Sequence, residues 1–288
     1  MPTMTRREAL AGGAAMIVAT REQAQTSPSA TGRVVSKGRL KQSVCRWCYA
    51  KIPLPEFFTA VAGMGLTAVD LLSEKEWPIA REHGLICSMG SGAGGSIADG
   101  LNVKANHEKI LAALTRAIPI AAAQKVPNLI TFFGNRRGMG DPEAAANCIE
   151  ALNKIKPVAE EHGVTICVEL LNSKVDHKDY QGDHSAFGVA IVKAVDSPRV
   201  KLLYDIYHMQ IMEGDLIRTI KDNKDYFAHF HTGGVPGRHE LDDTQEVNWR
   251  TVAAAIAETG FQGYFAHEFI PVRDPLTSLR QAVALCDV

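Results

Sequence analysis

Four short apolar runs in the second half of the chain each end on a side chain able to bind a metal. They are VELLN at 168–172, YDIYH at 204–208, FHTGG at 230–234 and AHEFIP at 266–271. Glu169, Asp205, His231 and Glu268 would together offer three carboxylates and one imidazole. This oxygen-rich set suits Mn²⁺, Mg²⁺ or Co²⁺, with Zn²⁺ also compatible. A divalent ion in such a site acts as a Lewis acid on carbonyl and hydroxyl oxygens, while two carboxylates flanking a substrate serve as base and acid. The chemistry that fits is proton transfer between adjacent carbons of an α-hydroxy carbonyl compound through an enediolate. Glu169 and Glu268 are the proton carriers, in an order the residues do not fix. Taken singly, each of these side chains reads as a solvated carboxylate, a helix cap or a hydrogen-bonded histidine.

What would bring the four together is a parallel barrel. From residue 41 onward, short Val/Ile/Leu/Phe runs alternate with segments of helical period, the pattern of repeated βα units whose strands are covered on both faces. Strands are expected at 42–45, 68–71, 86–89, 129–133, 165–170, 201–205, 227–231 and 263–268. Helices are expected at 55–64, 107–123, 141–163, 184–195, 215–222, 249–259 and 275–286. In the helix at 141–163, Asp141-Pro142-Glu143 supplies a cap, a first-turn proline and an acidic first turn, Gly163 supplies the stop, and Pro157 introduces a kink near the last turn. Eight strands within about 250 residues is the arithmetic of a single-domain (β/α)₈ TIM barrel, whose catalytic groups sit at the C-terminal ends of its strands. Glu169, Asp205, His231 and Glu268 then close strands five to eight. A doubly wound sheet is the competing topology, but the glycines at 90, 92, 94 and 95 do not open a helix as a nucleotide fingerprint would. They are read as a flexible active-site loop.

Composition narrows the partners. The 288 residues are 46% hydrophobic with a formal net charge of -1, which gives no electrostatic footprint for nucleic acid. No apolar run approaches the roughly 20 residues of a membrane helix. Small molecules are the expected partners, with homo-oligomerisation left open. Thr5-Arg6-Arg7, a mildly apolar stretch at 9–19 and a Gln/Ser/Thr/Pro-rich spacer read as a twin-arginine export signal over 1–38. The remainder, 39–288, is the barrel domain, and export implies a periplasmic protein. An unprocessed tail in a cytoplasmic protein is the alternative. Six scattered cysteines do not form a disulfide framework, and the lone Cys45-x-x-Cys48 pair is read as structural.

VELLN, YDIYHMQ, HTGGVPGRHELDDTQEVNW and GFQGYFAHEFIP resemble, in order and spacing, the hydroxypyruvate isomerase family of the xylose-isomerase-like sugar isomerase and epimerase barrels. The resemblance runs from about residue 41 to the C-terminus. Its most specific part is Arg238-His239-Glu240-x-Asp242-Asp243 followed by Glu246-x-Asn248. It implies a divalent metal held by Glu169, Asp205, His231 and Glu268, with His208 and Arg238 facing the substrate. It also implies conversion of hydroxypyruvate to 2-hydroxy-3-oxopropanoate. Hydroxypyruvate isomerases often carry Gln where this chain has His231, a departure that resembles the ketose 3-epimerases and keeps epimerisation or isomerisation of a ketose open. A barrel that only binds a sugar or metal is the non-catalytic alternative.

Several other residues fall at strand ends. Arg238 could clamp a substrate carboxylate or pair with Glu240 or Asp242, and His208 could donate to a substrate oxygen or make a structural hydrogen bond. Trp47 and Phe133 read as pocket walls or packing, and Arg136-Arg137 as a solvated turn. His177, His184 and His239 raise a multinuclear zinc endonuclease, which the neutral charge disfavours.

Overall fold

The computed structural model describes residues 32–288, so the twin-arginine motif and its apolar stretch lie outside the described residues. Residues 36–38, placed above in the spacer, are tied to the barrel. The Asp287 carboxylate accepts the backbone N–H groups of Ser36 (2.7 Å), Lys37 (2.8 Å) and Gly38 (2.8 Å).

In chain order the strands and helices are β1 (Lys41–Val44), α1 (Leu54–Met64), β2 (Ala68–Leu72), α2 (Trp77–Glu82), β3 (Ile86–Gly94), α3 (His107–Ala123), β4 (Asn128–Phe132), α4 (Asp141–His162), β5 (Thr165–Leu170), α5 (Ser185–Val195), β6 (Val200–Asp205), α6 (Ile206–Met212), α7 (Leu216–Asp222), β7 (Phe227–Thr232), α8 (Trp249–Glu258), β8 (Tyr264–His267) and α9 (Pro275–Cys286). All strand pairings are parallel in the order β1-β8-β7-β6-β5-β4-β3-β2. The ring closes between β1 and β2 through a single parallel bridge, Cys45 to Asp70. This is the expected (β/α)₈ barrel, and its main core lies between the strands and the helices. Two short helices escaped the sequence reading, α2 and α6.

Two local expectations fail for identifiable reasons. The glycine cluster is not a flexible loop: β3 runs on to Gly94, which pairs with Thr131 of β4. A Cβ at Gly94 would stand 2.0 Å from the Ile130 carbonyl oxygen, so glycine permits a close approach of two strands there. At α4, Asp141 lies inside the helix after Gly140 and does not cap it, since its carboxylate is drawn to Arg136 and to the Gln181 amide. The helix continues through Pro157 and ends at Gly163, whose φ of +68° supplies the left-handed C-cap.

The register of β2 against β3 is irregular on both sides of Asp70, and Leu71 has a φ of +57°. A bulge of this kind re-aims one side chain and strains a branched residue by about 1–3 kcal/mol. Here the re-aimed side chain is Asp70, fully buried beside His229 and His231.

Candidate metal centre

Glu169, Asp205, His231 and Glu268 are brought together at the C-terminal mouth, and their candidate ligand atoms all lie within 4.8 Å of one another. Glu169 is held at the end of β5 by Tyr180, whose buried hydroxyl donates to the Glu169 carbonyl (2.9 Å) and accepts from Phe133 N–H (2.9 Å). Asp205 ends β6 and caps α6, its Oδ1 accepting the His208 backbone N–H at 3.1 Å. The YDIYH run thus encodes a strand end, an N-cap and the first helical turn. Glu268 follows β8, where its backbone N–H donates to Thr232 O at 3.0 Å.

The imidazole of His231 faces two ways. Nε2 lies 2.8 Å from Asp70 Oδ2, and Nδ1 lies 2.9 Å from Glu268 Oε2 and 3.4 Å from Glu169 Oε1. Despite that proximity, Nδ1 is a buried polar atom without an aligned hydrogen bond. A ring nitrogen with no aligned hydrogen bond, ringed by carboxylate oxygens, is a position a divalent cation would satisfy, and a carboxylate on the other ring nitrogen is the usual support for a metal-binding histidine. These four residues therefore fit a Mn²⁺, Mg²⁺ or Co²⁺ type ion.

The electrostatics divide the carboxylates. Burial raises Glu169, an effect that His231 only partly opposes. Burial also pushes Asp205 up to about 7 against the pull of Arg238. Glu268 is equally buried, but Arg238 and His231 hold it well below the ordinary carboxylate range. Burial likewise disfavours ionised Asp70, yet His229 and His231 bring it below that range. Burial lowers His231, and the negative groups around it, Glu268 foremost, raise it well above the usual histidine value.

Arg238 does not make the loop pairing that the sequence offered as one alternative. It pairs with neither Glu240 nor Asp242; its Nη2 contacts Glu268 Oε2 at 2.5 Å and Asp205 Oδ2 at 3.4 Å. Its guanidinium lies between Trp47 and Tyr207, at 5.4 Å and 5.1 Å from the ring centroids. Glu240 instead binds the Val272 and Arg273 backbone and the Ser278 hydroxyl, while Arg273 pairs with Asp242. Trp47 is 43% exposed and donates its indole N–H to Glu268 Oε1 at 2.6 Å, so it walls the site, whereas Phe133 is packing against Tyr180 and Phe187. His208 is fully buried with Nε2 at 3.5 Å from Asp205 Oδ2, and burial pulls its pKa well below the usual histidine value.

The remaining expectations sort by contact. Arg136 bridges Asp141 and Asp183, and Arg137 pairs with Asp99. His184 bonds Asp183 and His239 faces the Ile270 carbonyl; with His177 they stand outside the four-residue cluster. All six cysteines are free. Cys45 is more than filler, because its Sγ lies 3.7 Å from Asp70 Oδ2 and 3.8 Å from His231 Nε2. Asp70 itself escaped the sequence reading. The available signal was a carboxylate in the middle of the apolar run AVDLL, a place where charge is rarely buried without a partner.

The xylose isomerase-like TIM barrel family model matches residues 58–287, and the chain belongs to that family. It is 27% identical over 238 residues to the 2-oxo-tetronate isomerase of Pectobacterium atrosepticum, covering 77% of this chain and 88% of the relative. It is 33% identical over 119 residues to the D-psicose 3-epimerase of Ruminiclostridium cellulolyticum, covering 40% of this chain and 38% of the relative. A crystal structure titled AP endonuclease, family 2, from Brucella melitensis superposes with a TM-score of 0.74 at 23% identity, covering 83% of this chain and 97% of that one, and shares the fold.

Proposed function

We propose that this protein is a divalent-metal-dependent isomerase that moves a proton between adjacent carbons of an α-hydroxy carbonyl substrate. The observation that carries this reading is the unpartnered Nδ1 of His231 facing Glu169 and Glu268 inside a cluster completed by Asp205. When bound, the ion would stabilise the negative charge that develops on two neighbouring substrate oxygens. The protein supplies the proton handling. The Glu169 carboxylate is met only by His231 Nδ1, at 3.4 Å from Oε1, among the described residues, which leaves it able to take or return a proton. Glu268 is anchored on both oxygens, by Trp47 and Arg238. The leading reaction is hydroxypyruvate to 2-hydroxy-3-oxopropanoate, supported by a relative named as an isomerase of another 2-oxo acid.

Epimerisation or isomerisation of a neutral ketose is the second reading, and one observation favours it. Arg238, the cation expected to meet a substrate carboxylate, is already paired with Glu268 and Asp205. The D-psicose 3-epimerase relative points the same way.

Exchange of a substrate C–H proton with solvent deuterium tests the function. Manganese-loaded protein should exchange it in hydroxypyruvate or in D-psicose, and Glu169→Gln and Glu268→Gln should each abolish exchange with the fold intact. Full activity in either variant removes that glutamate from the acid–base pair. The relative rates on the two substrates decide between the readings.

No described helix is long and apolar enough to cross a membrane. We further propose periplasmic export through the Arg6-Arg7 signal. Replacing both arginines by lysine should leave the protein in the cytoplasm, and undiminished export would reject that signal.

A further inference from the structure

We propose that Asn172 is a positioning residue that locks His208 with its proton on Nε2, aimed at the substrate. The side-chain oxygen of Asn172 accepts two backbone N–H groups, from Val175 at 3.0 Å and Asp176 at 2.9 Å. A backbone N–H can only donate, so these contacts decide which end of the amide is oxygen. The amide nitrogen then faces Asp176 Oδ2 at 2.6 Å and His208 Nδ1 at 2.6 Å. An amide nitrogen also only donates. Nδ1 of His208 is therefore the bare, accepting nitrogen, and the ring proton resides on Nε2.

Among the described residues no acceptor is aligned with that Nε2 proton. The ring is fully buried, with Tyr207 and His177 at centroid distances of 5.0 Å and 5.2 Å. Nε2 is a buried polar atom without a hydrogen-bond partner and stands 3.5 Å from Asp205 Oδ2. An oriented donor left open at the edge of the carboxylate cluster is a place for a substrate oxygen. Its role in turnover rests on the proton-transfer reading above. A fixed donor gains strength as negative charge grows on that oxygen, so its contribution falls on kcat more than on KM. Asn172 lies three residues beyond Glu169, so one strand exit sets both the carboxylate and the orientation of its neighbour.

The test exchanges the donor for an acceptor without changing the charge of the loop. In Asn172→Asp/Asp176→Asn, the new carboxylate at 172 can still accept the Val175 and 176 backbone N–H groups, and the new amide at 176 can donate to it. His208 Nδ1 must then carry the proton. Two-bond ¹⁵N–¹H spectra of histidine-labelled protein, with His208 assigned from a His208→Gln sample, should show a bare Nδ1 in the parent and a protonated Nδ1 in the swap. At a pH where the spectrum shows neutral His208, the swap should fold and bind Mn²⁺ like the parent. Its kcat for deuterium exchange into the better of hydroxypyruvate and D-psicose should fall about 100-fold, with little change in KM. A protonated Nδ1 in the parent overturns the lock. A flipped tautomer with undiminished kcat overturns the positioning role. Absence of exchange in the parent with both probes sinks the proton-transfer reading and the substrate-facing role with it, while the parent spectrum still decides the lock.

Discussion

The two halves of the barrel interior are built to different rules. Cys167, Leu203 and His229 each stand two residues before a candidate ligand, on β5, β6 and β7, and so share the inward face one layer below it. On the β3 to β6 side that depth is filled by Met89, Ile130, Cys167 and Leu203, a small apolar cluster separate from the main core. On the β1, β2 and β7 side it holds Cys45, Asp70 and His229, which with Ser88 of the neighbouring β3 are all buried and joined through the Asp70 carboxylate. The apolar half needs only volume. The polar half must match donors to acceptors around Asp70; it leaves His229 Nδ1 without a partner but holds His231 through its Nε2. Closure of the ring at the Cys45 to Asp70 bridge puts this polar half at the seam of the barrel.

If that division holds, substitutions in the two halves should damage different properties. The largest effect on chemistry belongs to the ligand layer itself: Glu169→Gln should lower exchange activity by about 10²–10⁴-fold, measured as deuterium incorporation per folded molecule. Next comes the polar half. Asp70→Asn removes the carboxylate behind His231 and should weaken Mn²⁺ binding by about 10–100-fold in calorimetric titration. An unchanged affinity would mean that Asp70 serves packing alone. Leu203→Ala on the apolar side should show the reverse, a loss of about 2–5 kcal/mol in urea unfolding with kcat per folded molecule retained. A matching loss of Mn²⁺ affinity in that variant would erase the distinction between the halves.

The smallest effect is expected far from both. Burial disfavours the Asp287 carboxylate, but the N–H groups of Gly38, Lys37 and Ser36 hold its pKa below the usual value. A depressed carboxylate contributes stability that is complete above the unfolded pKa of about 4 and lost as pH falls through the lower folded value. Asp287→Asn should therefore cost about 1–2 kcal/mol at pH 7 and progressively less in acid. An equal cost at pH 2.5 and pH 7 would show that ionisation plays no part.

Much of the barrel and its mouth was legible from residue order. All eight strands were located because each is a short apolar run between helical segments, and the candidate ligand positions followed from the rule that strand ends face the site. The parts that escaped share a cause. Asp70 reaches the interior only through a bulge and the left-handed Leu71, and no alternation pattern announces a bulge. Arg238 was offered Glu240 or Asp242 as pairing partners within its own loop, but its partners come from β6 and from the exit of β8, distant in sequence. The glycines at 90–94 looked mobile because glycine is permissive, although close strand packing required it at Gly94.

Sequence alone determined the barrel class, the strand count and the four side chains that meet at its mouth. Those follow from periodicity and from which residue ends each run, both local properties of the chain. Tertiary structure decided which nitrogen of His231 faces Glu169 and Glu268, which end of Asn172 faces His208, and what Arg238 pairs with. Each depends on where a donor or acceptor from a distant strand or loop comes to rest, and short-range hydrogen bonds become selective only after the fold has fixed those positions.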